Sequence, residues 1–68
     1  MLIVYSGTDC PKCETLKAKL KQKGMSYKEI NIREDEEALT FLRSKGHRGI
    51  PQIYREIGDE LEYVGVDI

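Results

Sequence analysis

The chain has 68 residues, two cysteines, no tryptophan and a formal net charge of −1 at pH 7. This length predicts one small domain, residues 1–68, with a limited core. The near-zero charge argues against a general nucleic-acid or membrane-surface role, and no stretch is long and apolar enough to cross a bilayer. Because two cysteines do not make a disulfide-stapled secreted scaffold and the N-terminus lacks a signal-peptide pattern, we expect a cytoplasmic protein.

The first third of the chain predicts a strand followed by a helix. The continuous apolar run of residues 1–5 is typical of a buried strand. We expect Thr8 or Asp9 to cap a helix that runs from Pro11 to about Lys23, because proline suits the first helical turn. The core face of this helix has spacings of three and four and consists of Cys13, Leu16 and Leu20.

The rest of the chain predicts four more elements. An edge strand over 26–32 is followed by a helix that begins in the acidic run 34–37 and ends at Gly46. A third strand starts at residues 50–54. A turn at Gly58–Asp59 then leads to a fourth strand over 60–64. The acidic run suits the positive end of a helix better than a metal site, because consecutive helical acids do not converge. The order β-α-β-α-β-β predicts an α/β fold with a four-stranded mixed sheet.

Cys10 and Cys13 stand at the start of the predicted first helix. Unpaired N–H groups and the helix dipole there favour a thiolate, which is the reactive form of cysteine. A C-x-x-C pair beside a β-α-β pattern is typical of a redox dithiol, with Cys10 the more exposed and more acidic thiol and Cys13 the buried one. Two alternatives remain: an inert disulfide, and a zinc half-site shared between chains, for which only His47 adds a ligand.

Two groups of cations allow two interpretations each. The first helix carries Lys12, Lys17, Lys19, Lys21 and Lys23. They form either a solvated face or a docking surface for an acidic partner. His47 and Arg48 are either solvated loop residues or contacts to an anionic or protein substrate beside the cysteines.

The chain resembles the glutaredoxin family over nearly its whole length. The resemblance is carried by Val4-Tyr5, Cys10-Pro11-Lys12-Cys13, the segment 37–51 that ends in Gly49-Ile50-Pro51, and Gly65. Residues 46–51 are also similar to the glutaredoxin-like NrdH redoxins, in which an arginine often lies three residues before the proline, as Arg48 does. The resemblance implies a thioredoxin-like fold and a thiol–disulfide oxidoreductase. Ribonucleotide reductase is the prominent substrate of the family.

The resemblance also implies roles for individual residues. Cys10 would be the attacking thiolate and Cys13 the resolving thiol, with no bound cofactor other than their disulfide. Pro51 would be a cis-proline beside the pair, which leaves the Ile50 backbone free to bind an extended substrate segment or glutathione. Pro11 and Lys12 would support the site. The implied substrate or glutathione contacts are Lys12, Arg48, Ile50, Pro51, Gly65, Val66 and Asp67.

The electron donor and the mode of action have alternatives. Glutathione-using members often have a lysine, a tyrosine, a threonine and a glycine where this chain has Gly7, Lys12, Gly49 and Val64. This favours thioredoxin reductase over glutathione as the donor. The alternative to a reductant of protein disulfides is a redox-sensing regulatory module of the same fold.

Glutaredoxins have a third helix after the hairpin, whereas this sequence stops at Ile68, where that helix would begin. We therefore expect exposed apolar surface near the sheet and the first helix. Such a surface is typical of a partner site, of self-association or of marginal stability.

Overall fold

A computed structural model describes residues 1–68 as four strands and two helices. In chain order these are β1 (Leu2–Ser6), α1 (Pro11–Gln22), β2 (Tyr27–Asn31), α2 (Glu36–Ser44), β3 (Gln52–Ile57) and β4 (Glu60–Gly65). The strand order is β2-β1-β3-β4, in which β1 is parallel to β2 and antiparallel to β3, and β3 is antiparallel to β4. The predicted element order, the mixed sheet and the edge position of β2 are confirmed.

The central strand β1 divides the core into two apolar clusters. All five of its residues are buried, because it has a neighbour strand on each side and a helix packed near each face. The α1-side core consists of Leu2, Val4, Leu16, Leu20 and Ile53. The α2-side core consists of Ile3, Tyr5, Ala38, Leu42 and Tyr54. The predicted core face of α1 is thus confirmed.

The predicted cap of α1 is wrong. Cys10, not Thr8 or Asp9, is the N-cap, and its Sγ accepts a hydrogen bond of 3.1 Å from the backbone N–H of Cys13. The physical reason is that Pro11 takes the first helical position, which leaves the preceding residue as the cap. Asp9 has a left-handed backbone with φ of 54° and belongs to the turn before it.

The second helix starts at Glu36, inside the acidic run in which it is predicted to begin. The Asp35 side chain caps it by accepting a 3.1 Å bond from the N–H of Ala38. One other predicted boundary moves by two residues. The third strand starts at Gln52 rather than at Ile50. Pro51 has no N–H to give to the sheet ladder, so Gln52 is the first residue paired with β1.

The expected exposed apolar surface between the sheet and α1 is not found. Leu16, Leu20 and Ile53 are at most 2% exposed. Val64 and Ile68 pack against the α1-side core, and Asp67 forms an ion pair of 3.0 Å with Lys19 of α1. Val64 at the end of β4 and Ile68 after it therefore cover this face, although Val66 beside them is 55% exposed. Neither helix, of 12 and nine residues, is long and apolar enough to span a membrane.

The two isoleucines of β3 test how much the α1-side core contributes to stability. Ile53 is fully buried and Ile57 is half exposed on the same strand. We expect Ile53→Val to lower the free energy of unfolding by about 0.5–1.5 kcal/mol, because it leaves a small cavity. Ile57→Val is the matched control and should change it by less than about 0.5 kcal/mol. Urea denaturation measures both, and equal losses would contradict the assignment of Ile53 to the core.

Candidate dithiol active site

The two cysteines form a disulfide at the N-terminus of α1. Their Cα atoms are 5.2 Å apart. Cys10 is partly exposed, whereas Cys13 is fully buried on the face of α1 that packs against the sheet, as the sequence predicts. As the N-cap, Cys10 holds its sulfur against a free helical N–H group, where a negative charge is stabilised. Cys10 is therefore the candidate nucleophile of the pair, because it is the more exposed cysteine and a helical N–H group donates to its sulfur.

The loop between α2 and β3 lies against the dithiol loop. The Ile50–Pro51 peptide bond is cis, as the resemblance implies, and Pro51 is buried. A methyl group placed on Gly7, just before the dithiol turn, would lie 2.5 Å from Cδ1 of Ile50. The end of the Ile50 side chain thus occupies the space that a Cβ at position 7 would take, and it would have to rotate to admit one.

Hydrogen bonds from β3 and β4 hold the cis-proline loop in place. Gln52 donates through Nε2 to the carbonyl oxygen of Gly49 (2.9 Å) and accepts at Oε1 from the hydroxyl of Tyr63 (2.7 Å). His47 Nε2 lies 2.8 Å from the Tyr54 hydroxyl. Burial raises the pKa of Tyr54, so this phenol stays protonated near neutral pH. The sequence did not predict these contacts, because their partners lie on separate elements.

A cleft of about 480 Å³, named here the dithiol cleft, is lined by the two residues between the cysteines but by neither cysteine itself. Pro11 and Lys12, which lie between the two cysteines, line one end of it. Among the predicted contact residues, the cleft brings together Lys12, Ile50, Pro51, Val66 and Asp67. Gly65 does not line the cleft but pairs with Ile53 in the sheet. A ligand in this cleft would lie beside the Cys10–Cys13 loop and the cis-proline loop.

Asp67, the one acidic residue that lines the dithiol cleft, already forms an ion pair with Lys19. Both carboxylate oxygens of Asp67 accept hydrogen bonds from Lys19 Nζ, at 3.0 and 3.1 Å, and this contact lowers the pKa of Asp67. Lys12 is the cation lining this cleft that has no carboxylate partner. A negatively charged ligand would therefore meet one free ammonium group here.

A second cleft, of about 650 Å³, shares Gly49 and Ile50 with the first. We name it the arginine cleft, because it is lined by Arg33, Arg43 and Arg48 together with His47 and the apolar side chains of Ile32, Leu39 and Leu42. Arg48, a predicted substrate contact, thus lies here and not in the dithiol cleft. Arg33 and Arg43 were missed, because no motif connects them to Arg48 in the sequence.

A polar network ties the end of β1 to α1 and β2. The carboxylate of Glu29 accepts hydrogen bonds from Lys17 Nζ and from the buried hydroxyl of Ser6, both at 2.8 Å. These bonds lower the pKa of Glu29, and the bonds of Lys17 to Glu29 and Glu14 raise the pKa of the ammonium. Lys17 and Lys19 are therefore intramolecular partners, which leaves Lys12, Lys21 and Lys23 for any docking surface on α1.

No group of three or more His, Cys, Asp or Glu side chains lies close enough together to hold a metal ion. The two sulfurs are bonded to each other.

Comparisons with known proteins agree with this geometry. A family model described as Glutaredoxin matches residues 2–62. Glutaredoxin 1 of Rickettsia conorii is 36% identical over 56 residues, and the match covers 78% of this chain and 55% of that protein. The N-acetyl-S-hydroxy-L-cysteine reductase of Bacillus subtilis is 33% identical over 66 residues, which are 96% of this chain and 69% of that protein.

A solved structure gives the same result for the fold. The glutaredoxin-like NrdH-redoxin of Escherichia coli superposes with a TM-score of 0.77 at 28% identity, covering 96% of this chain and 82% of that one. The fold is therefore thioredoxin-like, as predicted. The chain spans little more than half the length of the Rickettsia protein.

The different environments of the two sulfurs predict selective alkylation of the reduced protein. At mildly acidic pH, iodoacetamide should label Cys10 first, because only this thiol is both accessible and favoured as a thiolate by the helix N-terminus. Mass spectrometry of the digested protein locates the label, and Cys10→Ser and Cys13→Ser serve as single-thiol references. Faster labelling of Cys13 would reverse the assignment.

Proposed function

This chain belongs to the glutaredoxin family, and on that premise we propose that it is a thiol–disulfide oxidoreductase that reduces disulfides of other proteins. The observation that carries the proposal is the position of Cys10, partly exposed at the N-cap of α1 and bonded to the buried Cys13. Ribonucleotide reductase, the prominent substrate of the family, is the first protein to test. The reaction belongs in a reducing compartment such as the cytoplasm, where such a disulfide is returned to the dithiol.

The proposed reaction consists of two exchange steps. The Cys10 thiolate attacks one sulfur of the substrate disulfide, forms a mixed disulfide and releases the other substrate sulfur as a thiolate. Cys13 then loses its proton and attacks Cys10 Sγ, which closes the Cys10–Cys13 disulfide and releases the second substrate thiolate. Two electrons pass to the substrate, and a donor must return two electrons to the dithiol.

The dithiol cleft supports the orientation that this attack requires. Ile50 and Pro51 line the cleft beside Pro11 and Lys12, so a substrate segment that lies along Ile50 is held next to the cysteines. The hydrogen bonds of Gln52 keep this loop in one position before the substrate arrives. A preorganised loop lowers the entropy cost of binding an extended segment.

The geometry favours a protein reductase over glutathione as the electron donor. Glutathione is an anionic tripeptide whose tight binding needs fixed positive charge. In the dithiol cleft, Lys19 is occupied by Asp67, Lys12 is the unpaired cation, and the Ile50 side chain fills the space beside Gly7. Glutathione stays the second candidate donor, since Lys12 supplies some charge.

Substitution of each cysteine separates the two exchange steps. Cys13→Ser should accumulate a mixed disulfide with the substrate, because nothing resolves the first adduct. Cys10→Ser should lose activity, because the buried Cys13 cannot reach the substrate. Non-reducing gels and intact mass measure the adduct, and coupled NADPH oxidation measures turnover of the wild type. A wild type that is oxidised once and never turns over with any reducing system would instead support the redox-sensing module.

The choice of donor is measured with two recycling systems. We expect disulfide reduction to be sustained by NADPH and thioredoxin reductase, and to be slower with glutathione and glutathione reductase, for lack of anion partners in the dithiol cleft. Lys12→Gln should weaken the glutathione-supported rate severalfold, whereas Lys28→Gln, an exposed lysine on β2, serves as the matched control. Steady turnover with glutathione and none with thioredoxin reductase would contradict the preference.

A further inference from the structure

The arginine cleft has no assigned role in the two exchange steps. We infer that it binds an acidic segment, interspersed with apolar residues, of the protein whose disulfide is reduced. The cleft would then determine the class of substrate. This inference rests on the proposed function, because it concerns the same substrate.

The charge of the cleft is concentrated and unpaired. The chain has four arginines and a net charge of −1, yet three of the arginines line this cleft and no Asp or Glu does. Arg33, Arg43 and Arg48 form no ion pair, whereas the remaining arginine, Arg55, is paired with Glu62 at 3.2 Å. Exposed guanidinium groups with no internal partner are available to carboxylates, which they bind with two parallel hydrogen bonds.

The apolar part of the cleft favours a peptide over a small anion. Leu42 is 3% exposed, and Ile32, Leu39 and Ile50 are half-buried around it. A phosphate or a free carboxylate would use the guanidinium groups but leave these side chains in contact with water. A segment that carries both carboxylates and apolar side chains matches both halves of the lining.

The two clefts meet at the cis-proline loop. Gly49 and Ile50 line both of them, so a segment that crosses Ile50 next to Cys10 continues into the arginine cleft. Occupation of the arginine cleft would therefore hold the substrate by the residues that flank its disulfide. Because the arginines are exposed, their contribution should fall as salt screens it.

A single-turnover measurement tests the inference without a recycling system. The reduced protein is mixed with one of two peptides that contain the same disulfide. In the acidic peptide, the residues that flank the disulfide are Asp and Glu among apolar residues. In the neutral peptide, Asn and Gln replace Asp and Glu. The release of peptide thiols gives a second-order rate constant. We expect the acidic peptide to be reduced about fivefold faster at low salt, as a few exposed ion pairs allow. The preference should largely disappear near 1 M salt, where the Debye length is about 3 Å.

Arginine variants assign the preference to the cleft. The double variant Arg33→Gln/Arg43→Gln should lose most of the ratio between the two peptides, whereas Arg55→Gln, whose arginine lies outside the cleft, should keep it. Circular dichroism confirms that each variant is folded. The wild-type ratio and its salt dependence decide the question even if the double variant unfolds.

A small uncharged disulfide, bis(2-hydroxyethyl) disulfide, tests the proposed oxidoreductase activity separately from peptide binding in the arginine cleft. If the wild type reduces it but reduces both peptides at equal rates, the inference is wrong and the proposed function stands. If the wild type reduces none of the three, the proposed function is wrong and the inference falls with it. A dimer that forms at low salt and disappears in a variant of the acidic run 34–37 would assign the cleft to a second copy of this chain and overturn the inference.

Discussion

The antiparallel pairing of β1 with β3 is the constraint on which the candidate site depends. Tyr5 near the end of β1 lies opposite Gln52, the first residue of β3. The dithiol loop leaves β1 at this point and the cis-proline loop enters β3 at the same point. Two loops more than 30 residues apart in the chain therefore meet at one edge of the sheet. A shift of this register by one residue would move Pro51 away from the cysteines and turn the buried face of β3 outward.

The distribution of ion pairs separates structural charges from available ones. Lys17 links α1 to β2 through Glu29, Lys19 links α1 to the chain end through Asp67, and Arg55 links the two strands of the hairpin through Glu62. The pairs of Lys17 and Arg55 lie outside both clefts, whereas the Lys19–Asp67 pair lines the dithiol cleft. Four of the cations without a carboxylate partner, Lys12, Arg33, Arg43 and Arg48, line the two clefts that share Ile50. Unpaired positive charge therefore lies on both sides of the loop that we propose orients the substrate.

The sequence predicted those features that depend on local periodicity and on a recognisable motif. The spacing of Cys13, Leu16 and Leu20 identified the buried face of α1, and the alternation in residues 26–32 predicted the edge strand β2. The cap of α1 was missed, because cysteine is not among the residues usually expected at an N-cap. The usual capping preferences therefore pointed to Thr8 or Asp9.

The other features that the sequence did not predict are formed where segments far apart in the chain meet. The cover that Val64 and Ile68 provide for the α1-side core depends on how the chain turns after the hairpin, which no local pattern reveals. The arginine cleft depends on three residues from the end of a strand, a helix and a loop. The contacts of Gln52 with Gly49 and Tyr63 likewise join two strands and a loop.

The closeness of Gly7 to Ile50 affects how the proposed donor preference could be changed. A lysine at position 7 would add the positive charge that glutathione-using relatives often carry there, but its Cβ would collide with Cδ1 of Ile50. The atom in the way is the far end of a flexible side chain, so a rotation of the Ile50 side chain is enough to admit the new Cβ. A redesign towards glutathione would therefore have to choose the rotamer at position 50 together with the charge at position 7.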